Sequence, residues 1–325
     1  MHAASAPDVW VVILNYRTPD MTLDALRSLE AEMRAVPGRR VIVVDGGSGD
    51  DSAERIEAAI RDEGRGDHAE LLALPDNRGY AAGNNAAIRL ALAADPAPEF
   101  VHILNPDTLV RPGAVQALID FVRARPEVGL AGSRLEDPDG SPQHSCFRFP
   151  NLVNELSESL RFGPFTRLVD DYRIALGIPE VATRVDWVAG ASLLVRTEIF
   201  RTVGLFDEGY FLYFEETDFC RACARHGWQC WYVPDSRVVH LVGGSTGVTD
   251  ARRKRSRRPK YWYESRERYL SRALGPGGKR VADVLFTAGT VGHKLNCAVK
   301  RQPDTDPPGL LRDFVLYNFG GRRYR

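Results

Sequence analysis

Three carboxylates, Glu215, Glu216 and Asp218, stand close together in a stretch that could support acid–base chemistry. They follow aromatic residues that start after Gly209, and they open a helical pattern that stops at Gly227, a residue type favoured just past helix ends. A carboxylate beside aromatic rings is partly withdrawn from water, which raises its pKa into a range that suits a general base. The alternative interpretation is a solvated first helical turn, in which the helix dipole favours acidic residues.

A second set of residues could hold a metal ion. Asp107 follows a buried apolar run, and Asn105 lies two residues before it. A hard divalent cation that bridges phosphates takes one or two protein carboxylates, which suits Asp107, and Asn105 could add a neutral contact. His240 follows two valines, and if it faced Asp107 the mixed oxygen and imidazole set would suit Mn²⁺ or Mg²⁺. A turn aspartate and a structural histidine would explain the same two positions without a metal.

Residues 77–85 (NRGYAAGNN) could approach a phosphate or a nucleoside. Gly79 and Gly83 are present, but the third glycine of the dinucleotide-binding fingerprint is absent. Arg78 and the neighbouring backbone amides are the groups that would contact the ligand. The alternative is a loop and helix start, with Gly79 at a positive φ.

These side chains need a scaffold, and the chain alternates apolar runs with helical patterns. Residues 9–16, 40–45 and 100–104 are apolar runs typical of parallel strands that are buried on both faces. The alternation predicts an α/β layer with a mostly parallel sheet. In such sheets ligands bind beyond the carboxyl ends of the strands. The polar residues at these strand ends are Asn15, Tyr16, Asp45, Asn105 and Asp107.

The segments after residue 135 change character. Residues 136–149 predict a hairpin that turns at Asp139-Gly140. Residues 151–184 mix short helical pieces with glycines, and we interpret them as an inserted lid or acceptor-side segment. Residues 186–196 predict a core strand whose central glycine and alanines permit close approach of a ligand or another backbone.

The C-terminal quarter contains the one strong charge run of the sequence, at residues 252–260. It could be a solvated basic loop, a contact with a diphosphate, or a contact with an anionic membrane surface. Residues 261–274 predict a helix with aromatic and basic faces. Residues 281–299 are mildly apolar, and could either lie on a bilayer surface or pack against the rest of the protein.

Length and composition set the broad class. At 325 residues the chain exceeds the ~250–300 at which single cores stop growing, which predicts one large domain with an appendage. We place the large domain at residues 1–248, with halves 1–135 and 136–248, and the appendage at 249–325. No run reaches the ~18 apolar residues of a spanning helix, and the N-terminus does not resemble a signal peptide. Five cysteines, an odd number, favour reduced thiols in a cytoplasm.

In chain order the motifs are ILNYRTPD, VVDGGSGDDS, NRGYAAGNN, ILNPDT, WVAGASLLVR, GLFDEGYFLYFEETDFCRACARHGW and a downstream His240. Their order and content resemble the family 2 inverting glycosyltransferases with the GT-A fold, and among them the bacterial rhamnosyltransferase-type enzymes of surface-polysaccharide assembly. The resemblance covers roughly residues 9–246 and continues weakly through residues 261–266. It implies a mostly parallel, Rossmann-like central sheet flanked by helices, followed by a C-terminal helical region.

The resemblance also implies a role for each candidate residue. Asp107 takes the place of the last carboxylate in the family's metal-binding D-x-D motif, Asn105 stands where many relatives have its first aspartate, and His240 resembles a later histidine that reaches the same metal. Glu216 occupies the position of the usual catalytic aspartate, and whether Glu216 or Asp218 takes the proton stays open, with Glu215 beside them. The residues assigned to the nucleotide are Asn15, Tyr16, Asp45, Arg78, Gly83, Asn84 and Asn105.

The reaction implied by the resemblance is transfer of a sugar, with inversion and with Mn²⁺ or Mg²⁺, to a hydroxyl of a glycan or a polyprenyl-diphosphate-linked acceptor. The favoured donor is dTDP-rhamnose, with UDP-sugars and GDP-sugars left open. A nucleotidyltransferase is one competing function, but residues 13–20 lack the glycines and lysine of its usual phosphate loop. A non-catalytic nucleotide-sugar-binding module is another, and the clustered carboxylates argue against it. We expect a cytoplasmic protein that binds no nucleic acid, and leave open a peripheral contact with the inner face of the membrane.

Overall fold

A computed structural model describes residues 8–241 and 256–320 of the chain. The glycine-rich stretch at 243–247, the first part of the basic run (252–255) and the expected boundary at residue 248 lie outside the described residues. The division of the chain into domains therefore stays a prediction.

The strands and helices alternate through the first half of the chain. The strands are β1 (Val9–Asn15), β2 (Arg40–Asp45), β3 (Ala69–Ala73), β4 (Phe100–Leu104), β5 (Thr108–Val110), β6 (Val128–Glu136), β7 (Cys146–Phe147), β8 (Thr183–Val185), β9 (Trp187–Val188), β10 (Ser192–Arg196) and β11 (Gln229–His240). The helices are α1 (Pro19–Ser28), α2 (Glu30–Ala35), α3 (Ser52–Asp62), α4 (Tyr80–Ala93), α5 (Ala114–Arg123), α6 (Leu152–Leu160), α7 (Gly163–Leu168), α8 (Thr197–Thr202), α9 (Glu215–Arg225), α10 (Lys260–Lys300) and α11 (Leu310–Phe319). The predicted α/β class is confirmed.

The described residues form one nine-stranded sheet with the order β3-β2-β1-β4-β10-β6-β11-β5, and β8 pairs with β11. The strands from β3 to β4 are all parallel, as the sequence predicted. Beyond β4 the sheet is mixed, because β10 runs antiparallel to both of its neighbours. Ser192 pairs with Leu104, so β10 begins beside the carboxyl end of β4. The residues just before β10 therefore lie at the same edge of the sheet as Asn105 and Asp107.

The core lies on both faces of this sheet. Alternate residues of a strand point to opposite faces, and β1 is buried on each of them. Val11 and Ile13 belong to the apolar cluster that contains Leu26 of α1. Val12 belongs to the cluster on the other face, which contains Ile88 of α4. Burial on both faces explains why the first strands are continuous apolar runs.

The predicted hairpin at residues 136–149 is wrong beyond its turn. Gly140 has a positive φ, and the amide of Asp137 donates to the carbonyl of Ser141. The second arm makes a single bridge from Glu136 to Pro142, and β7 pairs with β9 instead. Proline has no amide hydrogen to continue a ladder, and β6 is already flanked by β10 and β11. The predicted strand at 186–196 is also interrupted, at residues 189–191.

The helix predicted at 261–274 is confirmed as the first segment of α10. The backbone of Gly275 is not helical (φ 72°), and a second segment follows over residues 276–300. Arg266 of the first segment forms buried ion pairs with Asp283 of the second segment and with Glu155 of α6. No helix within the described residues is both long and apolar enough to cross a membrane.

Candidate active site

A cavity of about 630 Å³ opens at the edge of the sheet where β1 and β4 end. The elements around it contribute loops and helix starts, which is where open α/β sheets bind ligands. Its walls include most of the residues singled out in the sequence. The candidates that line it are Tyr16, Arg78, Gly83, Asn105, Asp107, Glu215, Glu216 and His240.

The carboxylates enter the cavity from a strained turn at residues 213–216, which we call the carboxylate turn. Tyr213 and Phe214 both have positive φ angles, 74° and 69°, a conformation that costs on the order of 1 kcal/mol for each non-glycine residue. Helix α10 holds the turn in place. Phe214 stacks on Tyr269 with ring centroids 5.4 Å apart, and the hydroxyl of Ser265 donates to the carbonyl of Leu212 over 2.9 Å. No sequence pattern signalled this strain.

The two glutamates of the carboxylate turn have perturbed acidities. Burial raises the pKa of Glu215 well above its usual range, and the charge of Glu216 raises it further. Burial also raises the pKa of Glu216, although hydrogen bonds from backbone amides, including that of Gly190, oppose the increase. When two neighbouring carboxyl groups differ in this way, one can stay protonated while the other is ionised. Glu216 is the better placed base of the two, because it is the less buried.

Asp218 does not line the cavity. It lies two positions after Glu216 in α9, a step that turns the side chains about 200° apart around the helix axis. Its carboxylate Oδ2 accepts a hydrogen bond from Nε of Arg272 in α10 over 2.8 Å, and the side chain is 7% exposed. Of the two candidate bases left open by the sequence, Glu216 faces the cavity, whereas Asp218 connects α9 to α10.

Asp107 and His240 meet on another wall, with Asp107 Oδ1 3.6 Å from His240 Nε2. The side-chain amide of Gln143 donates to Asp137 Oδ1 (2.8 Å) and to the His240 carbonyl (2.9 Å), so its oxygen faces His240 Nδ1 at 3.3 Å. Nδ1 must then carry the imidazole hydrogen, which leaves the Nε2 lone pair directed towards Asp107. Burial lowers the pKa of His240 and so favours this neutral form. A carboxylate oxygen and a neutral imidazole nitrogen fit Mn²⁺ or Mg²⁺.

Tyr80 is the main cavity residue that the sequence reasoning missed. Its hydroxyl lies 3.1 Å from Asn105 Oδ1 and 2.9 Å from the Gly190 carbonyl. Its pKa is raised well above the usual value by burial and by the charges of Glu215, Glu216 and Asp107. The carboxylate turn and the Asp107 wall therefore both lie within electrostatic reach of one phenol. Its place at the first position of a predicted helix gave no hint of this role.

Gly79, at the start of α4, packs against Phe211, two residues before the carboxylate turn. Its φ is +90°, which confirms the positive-φ interpretation, and a Cβ there would lie 2.3 Å from the carbonyl oxygen of Phe211. The amide of Tyr80 donates to that same carbonyl over 2.8 Å. The close approach predicted for the small residues before β10 is also confirmed, because a Cβ at Gly190 would lie 3.1 Å from the Tyr80 hydroxyl.

Asn15 and Asp45 lie beneath the cavity and do not line it. Asn15 Nδ2 donates to Asp45 Oδ1 over 2.7 Å, and Asn15 Oδ1 accepts from the hydroxyl of Thr22 over 2.9 Å. Asp45 also accepts from the amide (3.0 Å) and the hydroxyl (2.6 Å) of Ser48. We call these four residues the floor network. The assignment of Asn15 and Asp45 to nucleotide contact stays a prediction, and in this structure the two side chains bind each other.

Of the other residues predicted to bind nucleotide, Tyr16 and Arg78 are exposed, whereas Gly83 and Asn84 belong to α4. Tyr16 is 41% exposed at the cavity, and the guanidinium of Arg78 is exposed and 3.3 Å from the carboxylate of Glu208. Gly83 permits packing of α4 on β1, since a Cβ there would lie 2.5 Å from a methyl carbon of Leu14. Asn84 is buried within α4, and its side-chain amide donates to the Tyr80 carbonyl one helical turn earlier.

Comparison with known protein families identifies the family of this chain. The profile "Glycosyl transferase family 2" matches residues 10–172, and "Glycosyl transferase family group 2" matches residues 100–269. The chain belongs to glycosyl transferase family 2. The family assignment expected from the motifs is thereby confirmed, and with it a glycosyltransferase activity.

Two relatives of this family 2 member carry rhamnosyltransferase names. The N-acetylglucosaminyl-diphospho-decaprenol L-rhamnosyltransferase of Mycobacterium tuberculosis is 34% identical over 216 residues, which are 64% of this chain and 68% of that protein. The dTDP-rhamnosyl transferase RfbF of Shigella flexneri is 23% identical over 237 residues, 73% of this chain and 70% of that protein.

A solved structure supports the fold. The mannosyltransferase PcManGT from Pyrobaculum calidifontis, in complex with GDP-Man and Mn²⁺, aligns with a TM-score of 0.56 at 15% identity. The alignment covers 97% of this chain and 82% of that one. The expected GT-A fold, with its central sheet, flanking helices and C-terminal helices, is confirmed.

Proposed function

We propose that the chain is an inverting glycosyltransferase that moves rhamnose from dTDP-rhamnose to a hydroxyl of a lipid-diphosphate-linked glycan, in surface-polysaccharide synthesis. The observation that carries the proposal is the convergence of two groups on one cavity: a carboxylate with a raised pKa, and an aspartate–histidine pair. The names of the two relatives support the donor and the lipid-linked acceptor. UDP-sugars and GDP-sugars are the alternative donors.

Glu216 acts as the base in this proposal. An acceptor hydroxyl is a weak nucleophile at neutral pH, so a carboxylate must take its proton as the oxygen bonds to the anomeric carbon. The bond from that carbon to the diphosphate oxygen breaks on the opposite face, and the electron pair leaves with the nucleoside diphosphate. One base and one displacement give inversion. Glu215 is the more buried of the two, so in this proposal it keeps its proton and leaves Glu216 as the ionised member of the pair.

Asp107 and His240 would hold the divalent ion, with the imidazole oriented by Gln143. When bound, Mn²⁺ or Mg²⁺ supplies Lewis-acid stabilisation of the charge that develops on the departing diphosphate. The Tyr80 hydroxyl hydrogen-bonds to Asn105 Oδ1, which fixes the orientation of the Asn105 side-chain amide near Asp107.

A donor screen tests the proposal. Purified protein is incubated with dTDP-, UDP- and GDP-sugars in the presence of Mn²⁺, Mg²⁺ or EDTA, and nucleoside diphosphate release is measured. We expect release from dTDP-rhamnose that requires metal. Glu216→Gln should lower the rate by about 10²–10⁴-fold, the usual contribution of a positioned base, and leave donor affinity nearly unchanged.

Asp218→Asn is the matched control, because it removes a carboxylate from the same helix that points away from the cavity. We expect it to retain turnover within about tenfold of the wild type. Parallel loss of donor binding in Glu216→Gln, or an equal loss of turnover in a folded Asp218→Asn, would contradict the role given to Glu216.

A further inference from the structure

The second segment of α10, residues 276–300, presents an apolar face to water. Apolar side chains recur along it at intervals of three, four or seven residues and are between 41% and 83% exposed. We call this set the apolar stripe: Val281, Val284, Val291, Leu295 and Val299. Ala288, near its centre, is also exposed. From the first residue to the last the stripe is about 27 Å long.

The buried face of the same segment is made of small and polar residues, which reverses the usual pattern of a surface helix. Gly289 packs on α6 so closely that a Cβ there would lie 2.0 Å from Ser159 Oγ. Asp283 is buried in an ion pair with Arg266 at 2.7 Å. These contacts fix the rotation of the helix, because turning the apolar stripe inward would break the ion pair and separate the glycine contact.

The charges beside the apolar stripe discriminate between possible partners. Within residues 276–301, all of which the structure describes, the exposed charged residues are Arg280, Lys300 and Arg301. The only carboxylate in this segment, Asp283, is buried. A second copy of the helix would bring basic residues together without acidic partners, which is unfavourable. An anionic surface complements both ends of the stripe.

We propose that the apolar stripe docks the protein on the surface of an anionic lipid bilayer. The second segment of α10 lies parallel to the membrane plane, with the valines and leucine at the boundary between head groups and acyl chains. Arg280, Lys300 and Arg301 contact lipid phosphates at its two ends, each strengthening binding about fivefold. The inference rests on this surface alone and is independent of the proposed transfer reaction.

Vesicle flotation tests the proposal with the full-length protein and without donor or acceptor. Vesicles of phosphatidylcholine alone are compared with vesicles that also contain phosphatidylglycerol, at low and high salt. We expect binding to the anionic vesicles that weakens as salt screens the basic residues. Leu295→Glu with Val299→Glu should reduce binding at least tenfold. Replacing the three basic residues by glutamine should reduce it on the order of a hundredfold.

The matched control is Leu168→Glu with Val181→Glu, which changes one exposed leucine and one exposed valine elsewhere (81% and 70% exposed). It should bind vesicles as the wild type does, and circular dichroism should show all variants folded. The proposal is overturned by a wild type that ignores anionic vesicles, or by a stripe variant that binds them equally well. It is also overturned by a wild-type dimer in analytical ultracentrifugation that Leu295→Glu with Val299→Glu converts to monomer.

Discussion

The floor network and the carboxylate turn adjoin the same cavity, but their polar groups are satisfied in different ways. Asn15 and Asp45 are almost completely buried, and their side chains bond to each other and to Ser48. The Oε2 atoms of Glu215 and Glu216 are also buried, yet they find no hydrogen-bond partner among the described residues. The backbone that leads to them is strained as well.

We infer from this difference that the floor network and the carboxylate turn have different functions. The floor network is assembled from residues 15–48, so neighbouring loops of the first two strands satisfy it locally. The carboxylate turn depends on α10, which follows it by some fifty residues in sequence, through the Phe214–Tyr269 stack and the hydrogen bond from Ser265 to the Leu212 carbonyl. Strained backbone persists where the surrounding structure holds it, and strain and perturbed acidities cluster at functional sites. We therefore expect changes in the floor to alter donor affinity, and changes in the turn to alter turnover.

The contact between α4 and the carboxylate turn should be the most sensitive point. Gly79→Ala places a Cβ 2.3 Å from the Phe211 carbonyl oxygen at a φ of +90°. The conformational cost is about 1–2 kcal/mol, and overpacking adds about 1–3 kcal/mol. Urea unfolding should show a loss of about 3 kcal/mol, and donor hydrolysis should fall because the turn is displaced.

Gly113→Ala isolates the conformational cost, because Gly113 has a φ of +84° with nothing within 4 Å of its Cβ position. Gly113→Ala should lose only the conformational contribution of about 1–2 kcal/mol and retain donor hydrolysis. Equal losses of stability in the two variants would show that Gly79 is required for its φ alone, and that the contact with Phe211 is not what positions the turn.

The buried carboxyl of Glu215 should give the next largest effect, and its sign depends on pH. The pKa of Glu215 is raised in the folded protein above its value in the unfolded chain, near 4.5. Protonation of Glu215 therefore favours the folded state, and this stabilisation is complete below the unfolded pKa. That contribution is lost as pH rises through the folded pKa. Glutamine does not ionise, so Glu215→Gln does not lose stability in this way. The difference between its melting temperature and that of the wild type should therefore increase with pH. Scanning calorimetry from pH 5 to pH 9 measures the difference.

Glu180→Gln is the control, since it makes the same substitution at an exposed glutamate. Glu215→Gln should still turn over, because amide and protonated carboxyl are both neutral beside Glu216. A melting difference that is flat across the pH range would refute the suppressed ionisation of Glu215.

The strand ends and most cavity residues were predictable because buried parallel strands give continuous apolar runs, and polar residues mark where they end. Asp107 and His240 could be singled out for this reason, whereas Glu216 was found from the cluster of carboxylates that follows the aromatic residues. Asp218 could not be separated from Glu216, because the choice depends on Arg272, which lies 54 residues further along the chain. Tyr80 was missed because its neighbours come from three distant segments, around residues 105–107, 190 and 215–216.

Asn15 and Asp45 of the floor network were identified correctly as polar groups at strand ends, but their hydrogen bonds to each other were not foreseen. A side chain at a strand end can point into the cavity or sideways to the next loop, and the turn geometry after Asp45 decides between them. The hairpin error has a similar cause, since β6 is flanked by strands that come later in the chain.

The smallest effect should come from Ser48→Ala in the floor network. The hydroxyl donates to Asp45 and accepts from the amide of Arg17, so its loss should cost about 1 kcal/mol of stability. Ser28→Ala is the control, because its hydroxyl also bridges a carbonyl and an amide, from Ala25 and Val110, without lining the cavity. Stability should fall similarly in both.

Steady-state kinetics then separates the two serines. Ser48→Ala should raise the KM for the donor severalfold with kcat unchanged, if the floor network positions the nucleotide as proposed and takes no part in proton transfer. Ser28→Ala should change neither constant. A fall in kcat with an unchanged KM in Ser48→Ala would mean that the floor network also positions Glu216, and the separate roles of the floor network and the carboxylate turn would have to be given up.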